Sequence, residues 1–296
     1  MNTKLLTIFT RSPLHVGAGS SVGAVDQPVV RERHTRFPVI PGSAIKGVLA
    51  DLWLKKNEDG TIFFNEKKII VKQKDGTGVE KTVYESVRVE DGVKLFGKVD
   101  AKDAAAGSLL IGEGKLVAFP IRSAKGCWAW LTCPMVLNRL GIEKDGKIDG
   151  TFASDALKFD NSVVFEEYPL QVVGAVPQKV IERYRKFSDE PLWSENIEEH
   201  LAVVSDEMFQ YFAQNACEIA NHNRIDDKSG VVAKGALFSQ ENVPSETMFV
   251  SELNTRDAGD FGNLEAKLKD ENCLLQIGAD MTTGLGWCSV AMKEVK

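Results

Sequence analysis

The sequence predicts an α+β fold with antiparallel sheets of the β-α-β-β-α-β kind. Segments rich in β-branched and aromatic residues alternate along the chain with segments of helical apolar periodicity. Two apolar runs separated by glycines are typical of a hairpin. The composition, with 43% hydrophobic and 26% charged residues, is that of a globular protein. A chain of 296 residues is long enough to bury a substantial core.

The N-terminal half is predicted to begin with a strand, "LLTIFT" (5–10), followed by a glycine-rich loop and a helix. The helix "PGSAIKGVLADLWLKK" (41–56) carries one apolar stripe, and Ser43 is its predicted N-cap. The polar stretch 57–90 is predicted to be an exposed insertion.

The middle of the chain is predicted to contain a short helical turn at 92–98 and a hairpin whose two apolar runs flank residues 112–114. "CWAWLT" (127–132) reads as a strand. The helix "PMVLNRLGI" (134–142) has a proline in its first turn and Gly141 as its stop.

The C-terminal half begins with a helix predicted over 205–223, which Ser205 caps. Its inward residues are predicted to be Met208, Phe212, Cys217 and Ile219. An arm follows, and then come the remaining segments in order: strand "ETMFVSEL" (246–253), helix "NLEAKLKDE" (263–271), strand "CLLQIG" (273–278) and a closing strand in "GLGWCSVAM" (284–292).

The residue inventory excludes several classes of protein. No run of eighteen apolar residues occurs, and the start lacks a signal-like apolar region, so we expect a cytoplasmic protein with no membrane partner. The five cysteines form no C-x-x-C pair and the four histidines lack H-E-x-x-H spacing. No G-x-S-x-G elbow is present. The net charge of −6 argues against a protein that binds nucleic acid over its whole surface.

The segment "HVGAGSSVGAVDQPVVRERH" (15–34) draws attention because small residues lead to one carboxylate, Asp26, and then to a basic cluster. A dinucleotide cradle is one interpretation, but the third glycine comes one residue late, at Gly23, and no helix follows. A solvated loop without chemistry is the second. The third is a site where a polyanion lies along the backbone while Asp26 acts on it.

This segment, extended to "IPGSAIKGVL", resembles the N-terminal signature of the RAMP superfamily, and within it the backbone subunits of type III-B (Cmr) CRISPR effectors. The resemblance spans essentially the whole chain. It continues through the following segments: "LFG" (95–97), "AGSLLIGEGKLVAFPIRSAKGCWAWLTCPMVL" (106–137), "GALFSQENVPSETMF" (235–249) and "TTGLGW" (282–287).

The resemblance implies one domain over 1–296, a modified ferredoxin-like or RNA-recognition palm with insertions and a protruding β-hairpin thumb. We place the thumb at 222–245, with 172–187 as a rival. Implied partners are the guide RNA, the target RNA, copies of the chain in a helical stack and other Cmr subunits. The implied activity is endonucleolytic cleavage of target RNA at regular intervals, with Mg²⁺ or another divalent metal as cofactor. A non-catalytic scaffold that binds the guide RNA is the alternative.

The resemblance also implies site residues. Asp26 is the expected catalytic residue and metal ligand, and His15 is either an auxiliary acid/base or a structural residue. Glu241 is expected near the cut site, and Trp128, Trp130 and Trp287 in the core. The expected RNA-binding residues are Lys46, Ser43, Arg31, Arg33, Arg36, Gly17, Gly19, Gly284 and Gly286.

Overall fold

The computed structural model describes residues 1–21, 23–72, 78–98, 104–142, 149–226, 229–233 and 236–295. The strands of this part of the chain are β1 (Asn2–Thr10), β2 (Val39–Ile40), β3 (Phe64–Lys72), β4 (Gly78–Ser86), β5 (Gly97–Lys98), β6 (Ala105–Ala106), β7 (Leu110–Ile111), β8 (Gly114–Arg122), β9 (Trp128–Thr132), β10 (Thr151–Ala153), β11 (Ser162–Phe165), β12 (Tyr168–Gly174), β13 (Leu201–Val203), β14 (Glu218–His222), β15 (Phe238–Asn242), β16 (Met248–Thr255), β17 (Leu274–Gln276) and β18 (Trp287–Glu294). The α-helices of the same ranges are α1 (Gly42–Asp51), α2 (Glu90–Phe96), α3 (Pro134–Arg139), α4 (Gln178–Arg185), α5 (Pro191–His200), α6 (Asp206–Asn215) and α7 (Gly259–Asp270).

One twelve-stranded sheet dominates the described structure, with the strand order β11-β12-β10-β13-β9-β8-β16-β1-β18-β17 and with β2 and β7 attached to β8 and β16. Within it, β8, β16, β1 and β18 are neighbours and pair antiparallel. The chain reaches them in the order β1-α1-β8 and then β16-α7-β18. This connectivity and strand order are those of a ferredoxin-like unit, which confirms the predicted fold class. The outer half of the sheet is mixed, because β10 pairs parallel with β12 and β13 parallel with β9.

The hairpin predicted around residues 112–114 is wrong. β7 and β8 do not pair with each other; both pair antiparallel with β16, one after the other along its length. The amide of Gly112 donates to the Glu252 carbonyl at 2.8 Å, and a Cβ on Gly112 would lie 3.0 Å from that oxygen. The glycine therefore permits a close backbone approach within one interrupted strand rather than a reversal.

Two predicted helices differ from the structure at their ends. Helix α1 has Pro41, not Ser43, as its N-cap, and no side chain caps it. Helix α6 has the predicted cap, since the Ser205 hydroxyl accepts from the Met208 amide, but it ends at Asn215. The residues beyond its end enter β14, where Ile219 is 52% exposed instead of facing inward.

Three two-stranded antiparallel sheets of the described residues lie outside the large sheet, formed by β3 and β4, by β14 and β15, and by the short strands β5 and β6. β3 and β4 pair within the predicted insertion 57–90, of which residues 73–77 lie outside the described residues. β14 and β15 pair within and just before the predicted thumb 222–245, of which 227, 228, 234 and 235 lie outside the described residues. The rival thumb segment 172–187 is not a hairpin, since it contains the end of β12 and the half-buried helix α4.

The core lies between the sheet and its helices and is rich in aromatic side chains. Trp130, Trp193 and Tyr184 are fully buried, and the indole nitrogens of both tryptophans donate to carbonyls, those of Glu246 and Tyr184, at 2.7 Å. Buried indole groups that are hydrogen-bonded combine large apolar burial with no unpaired donor.

No helix formed by the described residues is both long and apolar enough to span a membrane.

Candidate functional site

Three segments distant in sequence meet at one end of β1. They are the glycine-rich loop after β1, strand β15 of the β14–β15 ribbon, and the loop before β18. The amides of Ala279 and Gly286 donate to the carbonyls of His15 and Pro13 at 2.9 Å each. Strand β15 joins the same cluster, because the Gln240 side chain donates to a carboxylate oxygen of Asp280 at 2.9 Å. The segments that the sequence singled out are therefore held together by the fold.

Asp26 lies exposed at the junction of the glycine-rich loop and β15. The amide and the hydroxyl of Ser239 both donate to its Oδ2, at 2.8 and 3.0 Å, and its own amide donates to the Ser239 hydroxyl at 3.0 Å. The hydrogen bond from the Ser239 amide, and to a smaller extent the one from its hydroxyl, hold the pKa of the Asp26 carboxyl below its ordinary value of 3.8. Within the described ranges no cation forms an ion pair with this carboxylate and no donor reaches its Oδ1. An ionised oxygen is therefore available to a ligand.

The residue after Asp26 pairs with β15 through an isolated β-bridge. The Gln27 amide donates to the Ser239 carbonyl at 3.0 Å, and the Glu241 amide donates to the Gln27 carbonyl at 2.9 Å. Gln27 and Gln240 form a parallel bridge. These backbone bonds fix the position of Asp26 along β15.

His15 is buried, with 4% of its surface exposed. Its Nδ1 lies 2.7 Å from the Glu241 carbonyl oxygen, so this nitrogen is the donor. Its Nε2 faces Gly17 so closely that a Cβ there would lie 2.8 Å away. These contacts support the structural interpretation of His15, which ties the loop to β15, over an acid/base role.

Arg31, one of the expected RNA-binding residues, has its side chain buried and engaged within the protein. Its side chain is 6% exposed and forms an ion pair with Glu241, which is 10% exposed, at 2.6 Å. The same guanidinium donates to the carbonyls of Arg36 and Ala213 at 2.8 Å each. The second carboxylate oxygen of Glu241 accepts the Val29 amide at 2.9 Å. The pair is thus an internal brace between the loop, β15 and the end of α6.

The other predicted cations do face solvent. Arg33, Arg36 and Lys46 are exposed, and within the described part of the chain their side chains form no ion pair or hydrogen bond. Lys46 and the exposed Ser43 lie in the first turns of α1, beside an open groove of about 490 Å³ that Leu110 also lines. These side chains are free to contact an anionic ligand.

The predicted RNA-binding glycines fall into two groups. Gly19 and Gly284 are exposed, with φ of 94° and 89°, and a Cβ on either would meet nothing within 4 Å. Gly286 is buried, and a Cβ there would lie 2.0 Å from the Ile277 carbonyl oxygen, while Gly17 packs on His15. Gly17, Gly19 and Gly284 therefore present backbone to solvent, whereas at Gly17 and Gly286 a neighbouring group leaves no room for a side chain.

Of the three tryptophans expected in the core, the structure buries Trp130 completely and Trp128 partly. The expectation is wrong for Trp287, which is 38% exposed. It begins β18, where the next residue, Cys288, is buried. Side chains of a strand alternate between faces, so Trp287 points outward.

Asp26 fits a divalent metal only as part of a shared site. Among the described residues, no group of three or more His, Cys, Asp or Glu side chains could hold an ion alone. Mg²⁺ keeps several waters and requires only one or two carboxylates where substrate phosphates supply further oxygens. Oδ1 of Asp26 could be such a ligand, with the remaining oxygens coming from water and from a bound phosphate.

The fold and this site define a ferredoxin-like protein with an appended β-ribbon and an exposed, ordered carboxylate at their junction. The family model of the RAMP superfamily matches residues 7–289. The chain therefore belongs to the RAMP superfamily.

Comparison with individual proteins gives the same placement. The chain is 31% identical over 316 aligned residues to the CRISPR system Cmr endoribonuclease Cmr4 of Pyrococcus furiosus, covering 100% of this chain and 97% of that protein. It is 51% identical over 45 residues to the CRISPR system Cms endoribonuclease Csm3 of Enterococcus italicus, which covers 14% of this chain and 21% of that protein. The crystal structure of oligomeric Cmr4 from P. furiosus matches with a TM-score of 0.69 at 26% identity, covering 100% of this chain and 99% of that one. A chain of a type III-B Cmr-beta complex bound to cognate target RNA shares the fold, with a TM-score of 0.70, 18% identity and coverage of 99% and 97%.

Proposed function

We propose that this chain is the guide-RNA-binding backbone subunit of a type III-B CRISPR effector. In this proposal it stacks with copies of itself along the guide and cleaves complementary target RNA at regular intervals, with Asp26 as the catalytic residue. Full-length similarity to a protein named as a Cmr endoribonuclease supports the activity. Similarity to a structure described as oligomeric Cmr4 supports self-association.

The observation that carries the catalytic part is the state of Asp26. Its carboxylate is exposed, ionised and fixed by Ser239, with Oδ1 left unbonded by the described residues. Two hydrogen bonds to the carboxylate and a third from the Asp26 amide tie this exposed loop residue to a strand 213 residues away in the sequence. An ordered carboxylate with one unbonded oxygen suits a substrate that carries its own nucleophile, because such a substrate needs only to be oriented.

RNA supplies that nucleophile as its 2′-OH. In the proposed reaction the 2′ oxygen bonds to the adjacent phosphorus while the bond from phosphorus to the 5′ oxygen breaks. The proton lost from the 2′ oxygen is balanced by the proton gained at the 5′ oxygen, and the products are a 2′,3′-cyclic phosphate and a 5′-OH. Alignment of the reacting atoms can supply roughly 7–11 kcal/mol in favourable cases.

Asp26 is better suited to orient than to act as a general base. An efficient base has a pKa near the working pH, whereas hydrogen bonds from Ser239 lower the pKa of this carboxyl below 3.8. An ionised carboxylate can accept a hydrogen bond from the 2′-OH and hold it in line with the phosphorus. A divalent metal bound at Oδ1 would additionally offset the negative charge that develops on the phosphate.

Guide-RNA binding is assigned to the exposed cations and to the start of α1. Lys46, Arg33 and Arg36 can neutralise phosphates without breaking any internal ion pair of the described residues. Gly42 and Ser43, the first two residues of α1, line the same groove, and their amides lack the intrahelical acceptor that the Pro41 carbonyl gives to Ala44 and Ile45. A protein of net charge −6 can bind RNA in this way because phosphate contacts are local.

A non-catalytic scaffold is the alternative, and Asp26→Asn separates the two. An asparagine carbonyl can still accept both bonds from Ser239, so the loop should keep its place while the charge is lost. Asp59→Asn is the matched control, because Asp59 is also exposed and accepts the amide and hydroxyl of Thr61 at 3.0 and 2.6 Å. In the assembled effector with guide RNA, we expect Asp26→Asn to abolish target cleavage with normal assembly, and Asp59→Asn to cut normally. Full cutting by Asp26→Asn would leave only the scaffold.

A further inference from the structure

We propose that Ser239 is the positioning residue for Asp26, orienting its carboxylate for RNA cleavage. This inference rests on the proposed function and adds to it a second side chain, from the far end of the chain. Ser239 would not touch the RNA; it would act through Asp26.

The contact between the two residues is reciprocal. The Ser239 hydroxyl donates its proton to Oδ2 of Asp26 and accepts the Asp26 amide, both at 3.0 Å. The Ser239 amide donates to the same Oδ2 at 2.8 Å. Both bonds fall on Oδ2, which leaves Oδ1 without a donor among the described residues. The hydroxyl proton is engaged with Asp26, so it is not free to take part in chemistry.

The rest of β15 explains why Ser239 is a rigid support. The three residues that follow it, Gln240, Glu241 and Asn242, are 2%, 8% and 3% exposed. Gln240 is bonded to Asp280, and Glu241 is paired with Arg31. Ser239 is half-buried, at the point where this fixed strand meets solvent. Its hydroxyl therefore holds Asp26, on the exposed glycine-rich loop, in a fixed position relative to the strand.

An exposed aspartate without such a support would populate several side-chain rotamers. Each additional rotamer lowers the fraction of molecules in which Oδ1 meets the reacting hydroxyl. The backbone bond from the Ser239 amide survives substitution by alanine, whereas the two hydroxyl bonds do not. Replacement of the hydroxyl should therefore loosen the carboxylate without releasing the loop.

The test uses the assembled effector with guide RNA and compares Ser239→Ala, Ser239→Thr and Ser162→Ala. Thr keeps the hydroxyl and suits a strand. Ser162 lies in β11, at the outer edge of the sheet, and Ser162→Ala removes a hydroxyl that donates to the Phe159 carbonyl. We expect Ser239→Ala to lower the single-turnover cleavage rate at saturating target by about ten- to a hundredfold, with unchanged affinity for target RNA. Ser239→Thr should restore the rate, and Ser162→Ala should cut normally.

One further readout distinguishes positioning from a general loss of structure. Any residual cleavage by Asp26→Asn should be unchanged when Ser239→Ala is added, because both changes act on one group.

A wild-type rate for Ser239→Ala, with Asp26→Asn inactive, would overturn this inference and leave the proposed function intact. A rate loss that Ser239→Thr fails to restore, or that comes with equally weakened target binding, would also overturn it. Full cutting by Asp26→Asn would overturn the proposed function itself.

Discussion

Ser239 and Asp26 lie 213 residues apart in the sequence and share three hydrogen bonds. Through this pair the ribbon formed by β14 and β15 and the glycine-rich loop after β1 behave as one structural unit. The candidate site is therefore defined by tertiary contact between segments far apart in the sequence.

The pH dependence of cleavage should reflect the low pKa of Asp26. Because hydrogen bonds from Ser239 lower this pKa, the carboxylate is ionised above 3.8, and its contribution is lost only as the pH falls through the lowered value. We expect no decline in single-turnover cleavage that titrates with Asp26 between about pH 7 and pH 5. A wild-type rate that declines as the pH falls from about 7 to about 5 would contradict this assignment.

Arg31→Ala should destabilise the chain itself. The change would leave the buried carboxylate of Glu241 without its ion-pair partner, which typically lowers the free energy of unfolding by about 3–5 kcal/mol. Urea unfolding of the isolated chain measures this, with the exposed Arg33→Ala as control, for which a change within about 0.5 kcal/mol is expected. Equal stability of the two variants would show that Arg31 is not an internal brace.

Lys46→Ala should weaken RNA binding and leave stability unchanged. Lys46 is exposed in the first turns of α1 and has no ion-pair partner among the residues that the structure describes. Loss of one phosphate contact should lower affinity to the same extent for guides of different sequence and reduce the salt slope of binding by about 1. Filter binding of labelled guide RNA over a series of salt concentrations tests this. An unchanged slope would place the RNA elsewhere.

Gly284→Ala and Gly286→Ala form a matched pair in the loop before β18. Both glycines have a left-handed backbone, which disfavours alanine by about 1–2 kcal/mol. Only Gly286 adds a clash, with a Cβ 2.0 Å from the Ile277 carbonyl oxygen. We therefore expect Gly286→Ala to lower the midpoint of thermal unfolding clearly more than Gly284→Ala. Equal midpoints would mean that the loop relaxes around the new Cβ.

Sequence reasoning succeeded where the signal is local. Pro134 begins α3 and Gly141 follows its end with φ of 67°, as predicted. The apolar stripe of the 41–56 segment indicated a helix whose Ile45 and Leu49 are buried. The two glycine-rich loops at the site were also singled out from their composition, whereas β15 was singled out only through the family resemblance.

Sequence reasoning failed where a distant partner decides the outcome. Arg31 reads as one more cation of a basic cluster, and only its proximity to Glu241, 210 residues away, makes it internal. The apolar runs beside Gly112 read as a hairpin because their common partner, β16, lies more than a hundred residues later. Ser239 carried no signal at all, since an isolated serine in a strand has no distinctive pattern.

The consecutive residues Ser239, Gln240 and Glu241 bond to three different segments, through Asp26, Asp280 and Arg31. A displacement of β15 by one position would exchange all three partners at once, because neighbouring side chains of a strand lie on opposite faces. Length variation among relatives should therefore accumulate in the connection between β14 and β15 and spare the strand itself. The register of β15 must therefore be kept for the three contacts of the candidate site to form together.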